Sequence, residues 1–183
     1  MALLETRAPA PGTPAPDFAL PDTQGTLVRR DDFAQAPVLV VMFICNHCPY
    51  VQAVLDRLVA LGRTWPADQV AFVAISANDA ERYPQDGPDA MAELASQYDF
   101  PFPYLYDQTQ EVARAYGAVC TPDFFVYDQQ RTLAYCGRLD DNWKDPAART
   151  RRDLHDAILA LLDGERPVEE QHPSMGCSIK WKI

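Results

Sequence analysis

Two uninterrupted apolar runs dominate the chain, Val38-Leu-Val-Val-Met-Phe-Ile44 and Val70-Ala-Phe-Val-Ala-Ile75. Runs of this length, rich in β-branched side chains and lacking polar alternation, predict strands buried on both faces. Directly behind the first, Val51, Val54, Leu55, Leu58, Val59 and Leu61 recur at helical spacing. They predict a helix over 49–62 with Pro49 in its first turn and Gly62 as a cap. Ala90, Met91, Leu94, Ala95 and Tyr98 predict a second helix over 88–99, opened by Pro88. A short helix over 110–116 closes at Gly117, and a last one over 147–162 carries Leu154, Ile158, Leu161 and Leu162 on one face. Shorter strands are expected at 104–106, 123–127 and 132–136, the last two joined hairpin-like through Asp128-Gln-Gln-Arg131. Residues 17–20 and 25–28 flank a turn-like Pro21-Asp-Thr-Gln-Gly25 and form an opening hairpin.

Strands alternating with helices, then an antiparallel pair and a final helix, make an α/β domain whose central mixed sheet is covered on both faces. A Pro-rich arm (1–16) that cannot be helical precedes the domain (17–163), and an irregular C-terminal tail (164–183) without periodicity follows it. At 183 residues, 48% hydrophobic and 23% charged, the chain has the size of one soluble domain. Its net charge of −10 works against nucleic acid and anionic lipid, and Arg149-Thr-Arg151-Arg152 is too short a cluster to reverse that. The longest apolar run is far short of a membrane span, and Glu5 and Arg7 interrupt the N-terminus where a signal peptide would be apolar. A cytoplasmic protein is expected. Five widely spread cysteines do not resemble a disulfide framework.

The candidate chemistry lies where the first strand meets the first helix, at Cys45-Asn-His47-Cys48-Pro49. A helix amino terminus favours negative charge and so favours thiolate over thiol. Cys45, ahead of the helix, is expected to be exposed, with Cys48 in the first turn within reach of it. His47 between them is expected to stabilise the Cys45 thiolate, lowering its pKa from about 8.5. The rival is a metal site in which Cys120, Cys136, Cys177, His155 or His172 adds ligands. Structural zinc needs a second close pair, which the sequence lacks, so no metal and no cofactor is expected.

Thr121-Pro122, directly before an apolar strand, is the second informative segment. A cis peptide there leaves backbone groups open to an extended substrate; a trans proline simply starts the strand. Cys120, as a free cysteine, reads as a small buried residue, and Cys136 belongs to the core. Cys177 either joins the exchange chemistry or sits in a tail packed by Ile179 and Trp181. His155 and His172 are expected at the surface, and Asp140-Asp141-Asn142 is expected to cap a helix.

Together these segments resemble the thioredoxin superfamily, and within it the redoxin branch grouped with alkyl hydroperoxide reductase and thiol-specific antioxidant proteins. Ala15-Pro-Asp-Phe-Ala-Leu-Pro-Asp22 with Gly25 resembles that branch's opening hairpin. Cys45-Asn-His-Cys48 is similar to the thioredoxin redox motif, Thr121-Pro122 to its cis-proline, and Gly176-Cys177-Ser-Ile-Lys-Trp-Lys182 to the end of an uncharacterised bacterial subgroup. The resemblance implies a thioredoxin-like fold and a thiol–disulfide oxidoreductase. Cys45 would attack, Cys48 resolve and Thr121-Pro122 dock a disulfide-bearing protein or small molecule, with a cellular reductant recycling the pair. The resemblance also puts Cys120 on the loop facing Cys45, as a thiol that would pair with it or tune its potential, beside the reading of a small buried residue. The alternatives are a divergent thiol peroxidase and a metal-binding or redox-sensing module. Ile44 replaces the tryptophan of thioredoxin and Leu39 its buried acid. The peroxidase motif fails as well, because Val41 and Cys45 fall where it has Pro and Thr. Efficient peroxide reduction is therefore not expected.

Overall fold

The structure is a computed structural model that describes residues 3–6 and 8–183, without the side chain of Leu3. Its strands and helices in chain order are β1 (Leu3–Glu5), β2 (Ala19–Pro21), β3 (Leu27–Arg29), β4 (Val38–Phe43), α1 (Pro49–Gly62), β5 (Val70–Ser76), α2 (Pro88–Gln97), β6 (Tyr104–Tyr106), α3 (Glu111–Tyr116), β7 (Cys120–Thr121), β8 (Asp123–Tyr127), β9 (Leu133–Gly137), α4 (Asp153–Leu162) and β10 (Met175–Ser178).

The two apolar runs form the middle of a five-stranded sheet of order β6-β5-β4-β8-β9. β4 pairs parallel with β5 (Val40 opposite Phe72) and antiparallel with β8 (Val40 opposite Val126). Side chains alternate between two hydrophobic layers. Val38, Val40 and Met42 pack with Phe72, Ala74, Phe124 and Val126 beneath α1, α2 and α4. Leu39, Val41 and Phe43 pack with Val73, Ile75, Phe125 and Tyr127 beneath α3 and the β2–β3 hairpin. Burial on both faces is why the runs carry no polar alternation, and each such side chain contributes about 1.5–3 kcal/mol of burial. Leu39 belongs to the second layer and is fully buried.

α1 spans the predicted 49–62, but Gly62 is its last helical residue and not a left-handed cap, since Arg63 ends the helix in the αR region. A Cβ on Gly62 would lie 2.8 Å from the Phe102 ring, so close packing accounts for glycine there. α4 begins at Asp153, later than the expected 147. Pro146–Ala148 forms only a 3-10 turn, and Arg149 is extended. Asp140 and Asp141 cap no helix. Asp140 pairs with Arg57, and Asp141 accepts the Thr150 and Arg151 N–H groups at 2.9 and 3.1 Å.

The segment expected to be an irregular tail contains β10, which pairs antiparallel with β1 on one side and β7 on the other. This second sheet, β1-β10-β7, binds the Pro-rich arm and the C-terminal segment to the loop before Pro122. Gly176 makes the approach possible, because a Cβ there would lie 1.9 Å from the Thr121 carbonyl oxygen. Ile179 and Trp181 then pack into the second layer. Among the described residues, no helix is long and apolar enough to cross a membrane.

Candidate active site

β4 delivers the chain to the site, with Ile44 still bonded to the Ile75 carbonyl at 3.0 Å. The next three residues turn over a buried carboxylate. Asp86 Oδ1 accepts the Asn46 and His47 backbone N–H groups at 2.8 and 3.1 Å, and Oδ2 accepts Asn78 Nδ2 at 2.8 Å and bonds His47 Nδ1. Tyr104 donates to Asn46 Oδ1 at 3.1 Å, and the His47 ring stacks on Tyr83 with centroids 5.6 Å apart. Asp86 thus holds the loop geometry from 40 residues away, in a 3-10 turn (Pro84–Asp86) without sequence periodicity.

Cys48 is the N-cap of α1, and Pro49 occupies N1 without wasting a backbone donor. The two sulfurs lie in one buried cluster at the head of α1, and each shifts the acidity of the other. Cys45 Sγ also lies 3.3 Å from Thr121 Oγ1, and the Cys48 thiol donates to the Thr121 carbonyl at 3.1 Å. Thr121-Pro122 is a cis peptide. The pair titrates as a unit. Hydrogen bonding from Cys45 pulls Cys48 down to about 5, aided by Cys177, Thr121 and the Val51 N–H against the cost of burial. The same sulfur–sulfur bond, then burial and the Asp86 charge, push Cys45 well above the ordinary thiol range. Cys48 is therefore the more acidic sulfur of the pair.

Two expectations are corrected here. Cys45 is buried, at 1% exposure, because the Asp86-centred loop folds it inward. Its pKa is raised, not lowered, and His47 is bound to the Asp86 carboxylate, whose charge opposes a Cys45 thiolate. His47 thus anchors the loop.

All five cysteines are thiols and all are buried. Cys120 Sγ lies 3.4 Å from Thr6 Oγ1, and burial followed by the Asp123 charge pushes it up to about 12. Cys136 is buried in the layer beneath α3, as a core residue. Cys177 is pushed up to about 11, by burial first and by its interaction with Cys48 second. His155 packs against Trp65 (centroids 5.3 Å apart) and His172 pairs with Arg151 at 3.1 Å, so neither joins the sulfurs. Cys45, His47 and Asp86 place their ligand atoms within 4.8 Å of one another. Each Asp86 oxygen already accepts two hydrogen bonds, so this carboxylate serves the loop and not an ion. Beside Pro122, a groove of about 240 Å³ runs between Val54, Phe124, Trp143, His172 and Met175.

Asp123, directly after Pro122, is a second buried acid. Its Oδ2 accepts from Thr6 Oγ1 at 2.5 Å and its Oδ1 from the Phe124 N–H at 3.1 Å. Burial raises its pKa to about 7. The unfolded chain loses this proton near pH 4, so the protonated carboxyl favours the fold fully below pH 4 and that contribution is lost as pH rises through 7. The unfolding free energy of the wild type should fall relative to Asp123→Asn between pH 4 and 8, by up to about 4 kcal/mol. Denaturant titrations of both proteins across that range check this, and a constant difference would contradict it.

Residues 11–136, which include the Cys45 loop, Pro122 and the central sheet, match the AhpC/TSA family. The structure is similar to that of an uncharacterized conserved protein from Geobacillus kaustophilus, with TM-score 0.95 and 45% identity over 100% of this chain and 97% of that one. It is also similar to a hypothetical protein of Sinorhizobium meliloti 1021, with TM-score 0.91 and 40% identity over 98% of each chain. Over 120 residues the chain is 26% identical to the thiol-disulfide oxidoreductase ResA of Bacillus thuringiensis subsp. konkukian, a stretch covering 64% of this chain. That match spans 64% of the relative's own length, less than two thirds of it. The mixed central sheet with its flanking helices is the thioredoxin-like fold. With well over half of its length inside the matched region, the chain belongs to the AhpC/TSA family.

Proposed function

We propose that the protein is a thiol–disulfide oxidoreductase working through Cys45 and Cys48 in a reducing cytoplasm. The observation that carries this is the buried pair of sulfurs at the head of α1, both set against Thr121, with Cys45 Sγ 3.3 Å from its hydroxyl and Cys48 Sγ 3.1 Å from its carbonyl oxygen. Cys48, the more acidic sulfur, takes the proton of Cys45 as Cys45 attacks a substrate disulfide sulfur. One substrate thiolate leaves, and Cys45 is held in a mixed disulfide. Cys48 then gives up its proton and attacks Cys45 Sγ, expelling the second substrate thiolate and closing the Cys45–Cys48 bond. A dithiol reductant returns the two electrons. The substrate is a disulfide-bearing protein or small molecule docking at Thr121-Pro122. Because β10 covers the edge of β7, a substrate strand must displace it or enter by the groove beside Pro122.

Peroxide reduction needs donors that polarise the O–O bond. Among the described residues, no arginine hydrogen-bonds either sulfur; both sulfurs bond Thr121. Reduction of insulin disulfides by dithiothreitol, with and without the protein, tests the reading. Catalytic acceleration is expected, and a rate equal to dithiothreitol alone would reject it.

A further inference from the structure

β10 lies where an extended substrate would pair, along the edge of β7 just before Pro122. Its register sets Cys177 opposite Thr121. The carbonyl of Thr121 is also the group 3.1 Å from Cys48 Sγ, so Cys48 and Cys177 meet at one residue. Gly176 brings the strand closer than any other residue would allow, with the site of its missing Cβ 1.9 Å from that carbonyl oxygen. Cys177 is 3% exposed and lies in the same buried cluster as Cys45 and Cys48. The chain's own strand thus supplies what a bound substrate would bring: a paired backbone and a sulfur at the pair.

We propose that Cys177 is a third exchange thiol that attacks Cys48 in the oxidised pair, making β10 a built-in substrate strand. This rests on the exchange function proposed above. Cys177 Sγ bonds to Cys48 Sγ, the Cys45–Cys48 bond breaks, and Cys45 leaves as a thiolate that takes up the proton Cys177 gives up. One disulfide replaces another, so no outside oxidant enters the step. Burial is the main influence keeping Cys177 protonated; oxidation of the pair removes the added influence of Cys48, while Lys180 continues to favour the thiolate. The bridge pins β10 across β7 and returns Cys45 to the thiol form.

Disulfide mapping of the full chain tests this. Wild type, Cys45→Ser and Cys177→Ser are equilibrated in glutathione redox buffer, acid-quenched, alkylated and digested for mass spectrometry. Linked peptides carrying Cys45–Cys48 and Cys48–Cys177 are expected in the wild type. Cys48–Cys177 should be the main bridge in Cys45→Ser, formed there by displacing glutathione from Cys48, and Cys45–Cys48 the only one in Cys177→Ser. A Cys45–Cys48 bridge in the wild type with no Cys48–Cys177 bridge in either wild type or Cys45→Ser overturns the proposal, as does pairing of Cys48 with Cys120 in its place. Absence of the Cys45–Cys48 bridge from the wild type and Cys177→Ser instead removes the exchange function beneath it.

Discussion

Cys45→Ser is expected to reduce catalysed insulin reduction to the background rate, and Cys48→Ser to trap the protein in mixed disulfides. A serine oxygen does not form a stable bond to sulfur, so the first step is lost in Cys45→Ser whatever happens to the rest of the site. In Cys48→Ser the attacking thiol remains while the resolving one is gone. Its pKa also moves in a definite direction. The bond to Cys48 is the largest influence holding Cys45 up, so removing that sulfur brings Cys45 down toward the ordinary thiol range and enlarges its thiolate fraction. Intact-mass spectrometry should therefore show Cys48→Ser carrying one covalently bound substrate chain, and reductant should release it. Full activity in Cys45→Ser would show that the attacking thiol has been misassigned.

Gly176→Ala is expected to lift β10 from β7. The added methyl has nowhere to go, because the atom it meets is a backbone carbonyl oxygen held in the β7–β10 ladder and followed by Pro122. Flexible side chains yield to such a contact, but a backbone does not. Overpacking of this kind costs about 1–3 kcal/mol. Because β10 is also the partner of β1, the loss should spread to both neighbours. Hydrogen–deuterium exchange should show reduced protection at 3–5, 120–121 and 175–178, with the central sheet unchanged. Gly164→Ala is the control, since Gly164 has positive φ but nothing within 4 Å of its Cβ position. Unchanged exchange across β10 in Gly176→Ala would show that the strand tolerates the methyl.

The central sheet, α1 and the position of the sulfur pair were legible because their signals are local. β4, β5 and α1 declare themselves by period and length, and Cys45 and Cys48 fall where the apolar run of β4 gives way to the helical spacing of α1. What escaped depends on partners distant in sequence. Asp86 looks like any acid in an irregular stretch, and only the fold carries it under the Asn46 and His47 amides. The inverted acidity of the pair follows, since His47 beside two cysteines suggests a cation until its carboxylate partner is known. β10 is short and contains a glycine, so local propensity argues against a strand. Its pairing with β1 and β7 decides the matter. Asp123 follows a proline at a strand start, where an exposed acid is ordinary, and Thr6 and Ser174 enclose it from both ends of the chain.

The β1-β10-β7 sheet also sets an order of events during synthesis. Cys48 and Cys177 are separated by 129 positions (177 − 48) in the sequence. A ribosome adding about 5–20 residues per second needs on the order of 10 s to cover that distance. Throughout that interval the redox loop exists without the strand that closes over it. The nascent chain is then a bare dithiol, open to any disulfide it meets, and only the arrival of the last strand turns it into a guarded one.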